Sequence, residues 1–154
     1  LAERINLTNT NLQEFETEDL FDLIVSNPPF FTSSLVSENK GRTEARHAHS
    51  LSPFDLAKAT ELLSEKGKIA VIYPTETYGT FQTAINKIGF FEERRTEVKP
   101  TAAKPSHRIL GEFGKNNHST KPTELVIEKY GRHQYSEEYI ELTRDFYLFS
   151  ESQN

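Results

Sequence analysis

The chain contains no cysteine, no methionine and no tryptophan in 154 residues. Without cysteine there is no disulfide framework, no thiolate metal site and no thiol nucleophile. The same absence fits a reducing interior, and a cytoplasmic location is the expectation. Apolar runs are short: none approaches the roughly 20 residues that span a bilayer. Glycine and proline number only seven each, and no internal repeat or low-complexity tract appears. Positive charge is in deficit, with 18 Lys+Arg against 23 Asp+Glu and a formal net charge of -5. Bulk charge therefore does not make this a basic nucleic-acid module. What the chain does have is 11 Phe and 6 Tyr, enough large apolar side chains to build the core of a single soluble domain covering residues 1–154.

The chain opens on Leu1, and residues 1–7 show neither the charged nor the long apolar region of a secretion signal. It reads as a piece whose beginning is missing. Short apolar runs then alternate with amphipathic stretches, the pattern of an α/β sheet. A short strand is expected over residues 5–7, followed by a polar, acidic connection. Residues 21–26, Phe-Asp-Leu-Ile-Val-Ser, form a nearly continuous apolar run suited to a strand covered on both faces. The run stops at Asn27-Pro28-Pro29-Phe30, where two prolines remove two ladder donors and begin a stiff loop. Residues 31–51 have no apolar periodicity and read as a long loop, functional or disordered, carrying Lys40, Arg42, Arg46, His47 and His49.

Ser52-Pro53-Phe54-Asp55 combines a hydroxyl cap, a proline at the first helical position and an acid three residues on, which predicts a helix start. Leu56, Ala59 and Leu63 share a face of this helix, and Gly67 is expected to close it. A buried strand follows over 68–74. A second helix with Phe81, Ile85 and Ile88 on one face is expected to end at Gly89. Residues 90–98, 107–113 and 124–130 read as three further strands, making a parallel sheet that finishes in an antiparallel edge. Ser136 caps a last helix whose Tyr139, Leu142, Phe146 and Phe149 recur at helical spacing; this stripe reads as core or as a dimer contact.

Charge is uneven along the chain. Between Arg94 and Lys121 lie seven Lys/Arg and two Glu, a local balance of +5, so the remainder sums to -10. Such a patch on an acidic protein attracts phosphates while the rest of the surface discourages indiscriminate adhesion. Arg46 and His47, with His49, invite a metal reading, but no carboxylate stands at ligand spacing, and phosphate contact or loop packing is the better account.

The sharpest feature is the apolar strand that runs into Asn27-Pro28-Pro29-Phe30, because ligands of open α/β sheets bind beyond the carboxyl ends of strands. Asn27 offers an amide oxygen, Pro28 a carbonyl with no N–H, and Phe30 a flat apolar face. Two acceptors beside an aromatic plate complement a planar group bearing an NH2. Accepting hydrogen bonds from both of its protons favours a more tetrahedral nitrogen whose lone pair can attack an electrophile. The alternative is that the tetrapeptide is merely a turn whose Phe packs inward.

The segment 21–31, FDLIVSNPPFF, resembles the fourth motif of Rossmann-like, S-adenosylmethionine-dependent methyltransferases that act on planar amino or amide nitrogens. Four further stretches, RTEARHAHSLSPFDLAKATELL, GKIAVIYP, VKPTAAKPSHRILGEF and HQYSEEYIELTRDFYL, are similar to bacterial tRNA adenine-N6 methyltransferases, over nearly the whole chain. The resemblance implies a mostly parallel Rossmann-like sheet with an antiparallel C-terminal edge, lacking its N-terminal cofactor-binding strands. It implies methyl transfer to N6 of adenine 37 in a valine tRNA, with S-adenosyl-L-methionine as cofactor and a tRNA anticodon loop as partner. Asn27 and the Pro28 carbonyl would hold the amine, Pro29 would stiffen the loop and Phe30 would stack on the base. Asn11, with Leu12, falls where the family usually has an Asp that reads the adenine of the cofactor. Arg46, His47, Arg94, Arg95, Lys99, Lys104 and Arg108 would contact the RNA; for the residues from Arg94 onward the alternative is a solvated strand edge protected by charge. A glutamine amide of a release factor is the alternative acceptor, and a non-catalytic RNA-binding module is the alternative of a different class. No G-x-G run occurs, and no following strand carries a ribose-binding acid; in the family both lie upstream of the position of Leu1. Weak binding of S-adenosylmethionine by this polypeptide alone is therefore expected.

Overall fold

In the computed structural model, which describes residues 4–29 and 51–147, the apolar runs become strands β1 (Phe21–Ser26), β2 (Leu63–Pro74), β3 (Phe91–Thr101), β4 (Arg108–Gly114), β5 (Thr123–Gly131) and β6 (Gln134–Tyr135). They form one sheet in the order β1-β2-β4-β3-β5-β6. β1 pairs with β2 and β3 with β5 in parallel, whereas β4 is antiparallel to both β2 and β3, and β6 is antiparallel to β5. The expected mostly parallel sheet is therefore corrected to a mixed one. The antiparallel element is β4 in the interior as well as β6 at the edge, because β3 and β4 are joined by a short hairpin that reverses the chain.

Helix α1 (Pro53–Lys58) begins as its sequence dictates, with a closed capping box. The Asp55 N–H donates to Ser52 Oγ at 3.1 Å, and the Ser52 N–H donates to Asp55 Oδ2 at 3.2 Å. Its end departs from expectation: the chain tightens into a 3-10 turn, Ala59–Leu62, and enters β2 at Leu63. Gly67 is therefore not a helix cap. It lies inside β2, where an added Cβ would meet the Phe21 carbonyl oxygen at 2.7 Å, so the close approach of β1 and β2 is what needs a glycine. Helix α2 (Thr75–Asn86) and helix α3 (Glu137–Thr143) follow the predicted signals, with Ser136 Oγ accepting the Tyr139 N–H at 3.1 Å. Residues 5–7 make no strand among the described residues, and Leu7 is 93% exposed.

The core lies between one face of the sheet and helices α1 and α2. Ile69, Val71 and Tyr73 of β2 alternate inward, as do Ile109 and Phe113 of β4, and they meet Leu56, Tyr78, Phe81 and Ile85. Phe81 stacks on Tyr73 at 5.1 Å between centroids and meets Phe113 edge-on at 5.4 Å. Burying each such side chain contributes about 1.5–3 kcal/mol before the entropy of ordering it. Gly111 completes the packing, since a Cβ there would run into the Tyr78 phenol oxygen.

The opposite face is largely open. β1, read from sequence as covered on both faces, is an edge strand with Leu23 54% and Val25 73% exposed. α3 contacts this sheet through β5. The predicted aromatic stripe of α3 is not core: Phe146 is 85% exposed, Tyr139 is half-buried against Tyr135, and Phe149 lies outside the described residues.

Candidate active site at the carboxyl end of β1

Parallel pairing brings the ends of β1 and β2 together: Ser26 stands beside Val71, so Asn27 continues the row one residue further, beside Ile72. Ile72 is paired with Leu110 of β4, and Leu110 with Thr96 of β3. This row forms the floor of an open groove of about 630 Å3, lined by Val25, Asn27, Ala70, Ile72 and Leu110, with Arg94 and Glu112 further along and Glu138 and Leu142 of α3 on the far wall. Strand alternation explains the chemistry of the groove, because Ala70, Ile72 and Leu110 face away from the core on which Ile69, Val71 and Ile109 close.

Asn27 is exposed at the mouth of this groove, and its side chain makes no hydrogen bond among the described residues. A free amide is what an acceptor site requires; an Asn whose amide was spent on its own turn would leave none. Pro28 is buried and Pro29 exposed. Phe30, Arg46 and His47 lie outside the described residues, as does the whole histidine-bearing segment 30–50.

Asn11 and Leu12, the candidate cofactor contacts, fall at a separate place. Asn11 precedes a 3-10 turn, Leu12–Glu14, and its carbonyl accepts the Glu14 N–H at 3.0 Å. Leu12 packs against the core and lines a smaller pocket of about 280 Å3 with Phe15, Asp55, Lys58 and Glu61. Hydrogen bonding to Ser52 holds the Asp55 carboxyl below the ordinary carboxylate range, with Gln13 adding a weaker bond at 3.5 Å. Asn11 and Leu12 are thus not among the residues that line the Asn27 groove.

The candidate RNA contacts are divided as well. Arg94 lines the open groove and bonds Glu112 at 2.9 Å, while Arg95 points to the other face, lies over the Tyr78 ring at 5.3 Å and pairs with Glu97 at 2.8 Å. Glu112 also binds Lys68 at 3.0 Å, and Lys68 binds Glu93 at 2.9 Å. Burial pulls the Glu93 carboxyl upward, but the Lys68 ammonium and the Asn116 N–H more than offset it, and Glu93 titrates below its ordinary value. Lys99 pairs with Glu124 at 2.5 Å. Lys99, Lys104 and Arg108 share the sheet end of Asn27, because β3 ends and β4 begins there. The single basic surface expected from sequence is therefore distributed over two faces of the sheet.

Sequence reasoning missed the groove floor and its α3 wall. The alternation Arg108, Leu110, Glu112 was the available signal, since it is too polar for a strand buried on both faces. Among the described residues, no group of three or more His, Asp or Glu stands in position to hold a metal ion, and no helix is long and apolar enough to cross a membrane.

Residues 1–97 match the family model described as Eco57I restriction-modification methylase. A tRNA1(Val) (adenine(37)-N6)-methyltransferase of Trichodesmium erythraeum is 40% identical over 150 residues, covering 96% of this chain and 62% of the relative. One of the same description from Vibrio campbellii is 33% identical over 148 residues, covering 96% of this chain and 61% of the relative. Among solved structures, a predicted O-methyltransferase from Agrobacterium tumefaciens superposes with a TM-score of 0.55 at 15% identity, over 84% of this chain and 53% of that protein; this likeness is one of fold. The chain spans about three fifths of the length of the curated relatives it matches.

Proposed function

Because the chain belongs to the Eco57I restriction-modification methylase family, we propose that it supplies the acceptor-binding part of an S-adenosylmethionine-dependent methyltransferase acting on N6 of adenine 37 in tRNA1(Val). The observation that carries this reading is the exposed Asn27 amide at the end of β1, without a partner among the described residues and opening on the groove. Asn27 Oδ1 and the Pro28 carbonyl accept the two amine protons, turning the nitrogen lone pair out of conjugation with the ring. The stiffness of the two prolines keeps both acceptors in place without reorganisation. Phe30 provides the stacking face. An anticodon-loop base is less costly to extrude than one in a duplex, which suits so open a slot. The names of the relatives, which specify tRNA1(Val) and adenine 37, favour this acceptor over a glutamine amide.

S-adenosylmethionine, when bound, supplies an electrophilic methyl carbon on a sulfonium. The described residues fit only part of it. The pocket at Leu12 lies just below the range of about 300–1,000 Å3 typical of ligand sites. Asn11 offers an amide for an adenine edge, but no described turn presents clustered backbone amides to a carboxylate. No step of the reaction is therefore assigned to Asn11 or Leu12.

The experiment is a chimera in which this chain replaces the matching 150 residues of the Trichodesmium erythraeum relative. It is expected to transfer label from S-adenosylmethionine to adenine 37 of a tRNA1(Val) transcript. No incorporation, with the chimera folded, overturns the reading, as does incorporation into a release-factor glutamine instead of tRNA.

A further inference from the structure

The hairpin between β3 and β4 is bound to the same sheet end as Asn27. The Thr75 N–H donates to the His107 carbonyl at 3.3 Å, Thr75 Oγ1 donates to the Ser106 carbonyl at 3.1 Å, and the His107 N–H donates to the Val98 carbonyl at 3.1 Å. Thr75 directly follows β2, the strand that flanks β1, so these bonds fix the hairpin beside the mouth of the groove. No Asp or Glu occurs between Lys99 and Arg108. Lys104 is exposed at the tip of the hairpin, and its backbone N–H closes the turn on the Thr101 carbonyl at 3.1 Å.

Arg108 is the more informative residue. It opens β4, pairs with Pro74 of β2 and Val98 of β3, and alternates with the core-facing Ile109. Its side chain therefore belongs to the face that Leu110 and Glu112 present to the groove. Arg108 lies two strands across and two residues beyond the row of Asn27, roughly 12 Å away by the spacing of strands and residues in a sheet. A nucleotide or two spans such a distance.

We propose that Arg108 and Lys104 grip the phosphodiester backbone flanking the base held at Asn27, so that the bound RNA strand runs from the end of β1 over β2 to the β3–β4 hairpin. The inference rests on the reading that the acceptor is RNA. It also makes the partition of the basic residues functional. Arg94, paired with Glu112 of β4, and Arg95, paired with Glu97 of its own strand and lying over Tyr78 of α2, stand away from this sheet end, whereas Lys104 and Arg108, whose Nη1 donates to the His107 carbonyl at 3.0 Å, stand at it.

The test is the salt dependence of binding between the whole chain and an RNA hairpin carrying the tRNA1(Val) anticodon loop. For single-stranded contacts each lost phosphate contact reduces the magnitude of the slope of log K against log salt by about 0.7. Lys104→Ala and Arg108→Ala are each expected to lower it by that amount, and Lys66→Ala and Lys121→Ala, at the opposite end of the sheet, are expected to leave it unchanged. A control variant that flattens the slope as much as Lys104→Ala and Arg108→Ala overturns the inference, because attraction is then diffuse. Unchanged slopes for both hairpin variants, with the parent chain binding RNA, overturn the inference alone. No salt-dependent RNA binding by the parent chain overturns both it and the tRNA reading.

Discussion

The guanidinium of Arg95 lies 5.3 Å from the centroid of the Tyr78 ring, and the Tyr78 hydroxyl donates to Glu92 on the same strand as Arg95. Helix α2 is thereby tied to β3 on the core side of the sheet. Burial and the Glu92 carboxylate push the Tyr78 phenol well above its ordinary range, so this tie persists throughout neutral and moderately alkaline pH. Arg94, the next residue back, faces the groove instead.

This alternation separates two roles that sequence proximity had merged. Arg95→Ala is expected to destabilise the fold by about 1–2 kcal/mol, through the lost cation–π contact, the half-buried Glu97 pair and the packing of its stem. Arg94→Ala, at a side chain 73% exposed, is expected to stay within about 0.5 kcal/mol. Chemical denaturation of the two variants measures the difference, and equal losses would contradict the assignment of the two side chains to different faces.

Acid stability follows from carboxylates held below their ordinary values. Asp55 is held down by Ser52; Glu93 is held down by Lys68 and the Asn116 N–H against the pull of burial. Each is more readily ionised in the folded than in the unfolded chain. Its contribution is complete above the unfolded pKa and is lost as pH falls through the lowered, folded value. The raised pKa of Lys68, caused by its bonds to Glu93 and Glu112, acts in the opposite direction. Its contribution is complete below the unfolded lysine value and is lost only as pH rises through the folded one. Stability is therefore expected to be level through neutrality and to fall below about pH 4.5. Glu93→Gln is expected to shallow the acid limb of a denaturation-against-pH profile, and an unchanged limb would contradict the role given to Lys68.

Much of the fold was legible because its signals are local. The capping box at Ser52 and Asp55, the hydroxyl cap at Ser136 and the prolines that end β1 and β2 act within a few residues, and the structure realises each of them. What was not legible depends on contacts distant in sequence. Gly67 looked like a helix terminus until the Phe21 carbonyl was placed against it, and the reversal of β4 is decided by the pairing of Leu110 with Ile72 of β2 and Thr96 of β3 rather than by composition. The position of Asn27 was readable from the strand and prolines around it. The groove beside it was not, because its floor is assembled from alternate residues of four strands and its wall from Glu138 and Leu142 of α3.

S-adenosylmethionine is expected to bind this chain by itself more weakly than the micromolar range, since Asn11 and Leu12 offer a contact for an adenine but no described residues form a cradle for the methionine end. Titration calorimetry on the 154-residue chain measures this directly. A dissociation constant of about 1 μM would contradict the partial fit described for the Leu12 pocket.

The central claim is that Asn27 and the carbonyl beside it grip the two hydrogens of an exocyclic amine, and it is tested without any methyl donor. The measurement is the affinity of the chain for an anticodon-loop RNA bearing adenine at the target position, against the same RNA bearing purine, which lacks the amine. Two net hydrogen bonds of about 1 kcal/mol each correspond to a preference of roughly 30-fold for adenine. Asn27→Ala removes one of the two bonds and is expected to cut that preference to roughly 5-fold while leaving the affinity for the purine RNA unchanged. Equal affinities for the two RNAs in the native chain, or a preference undiminished by Asn27→Ala, would contradict the account.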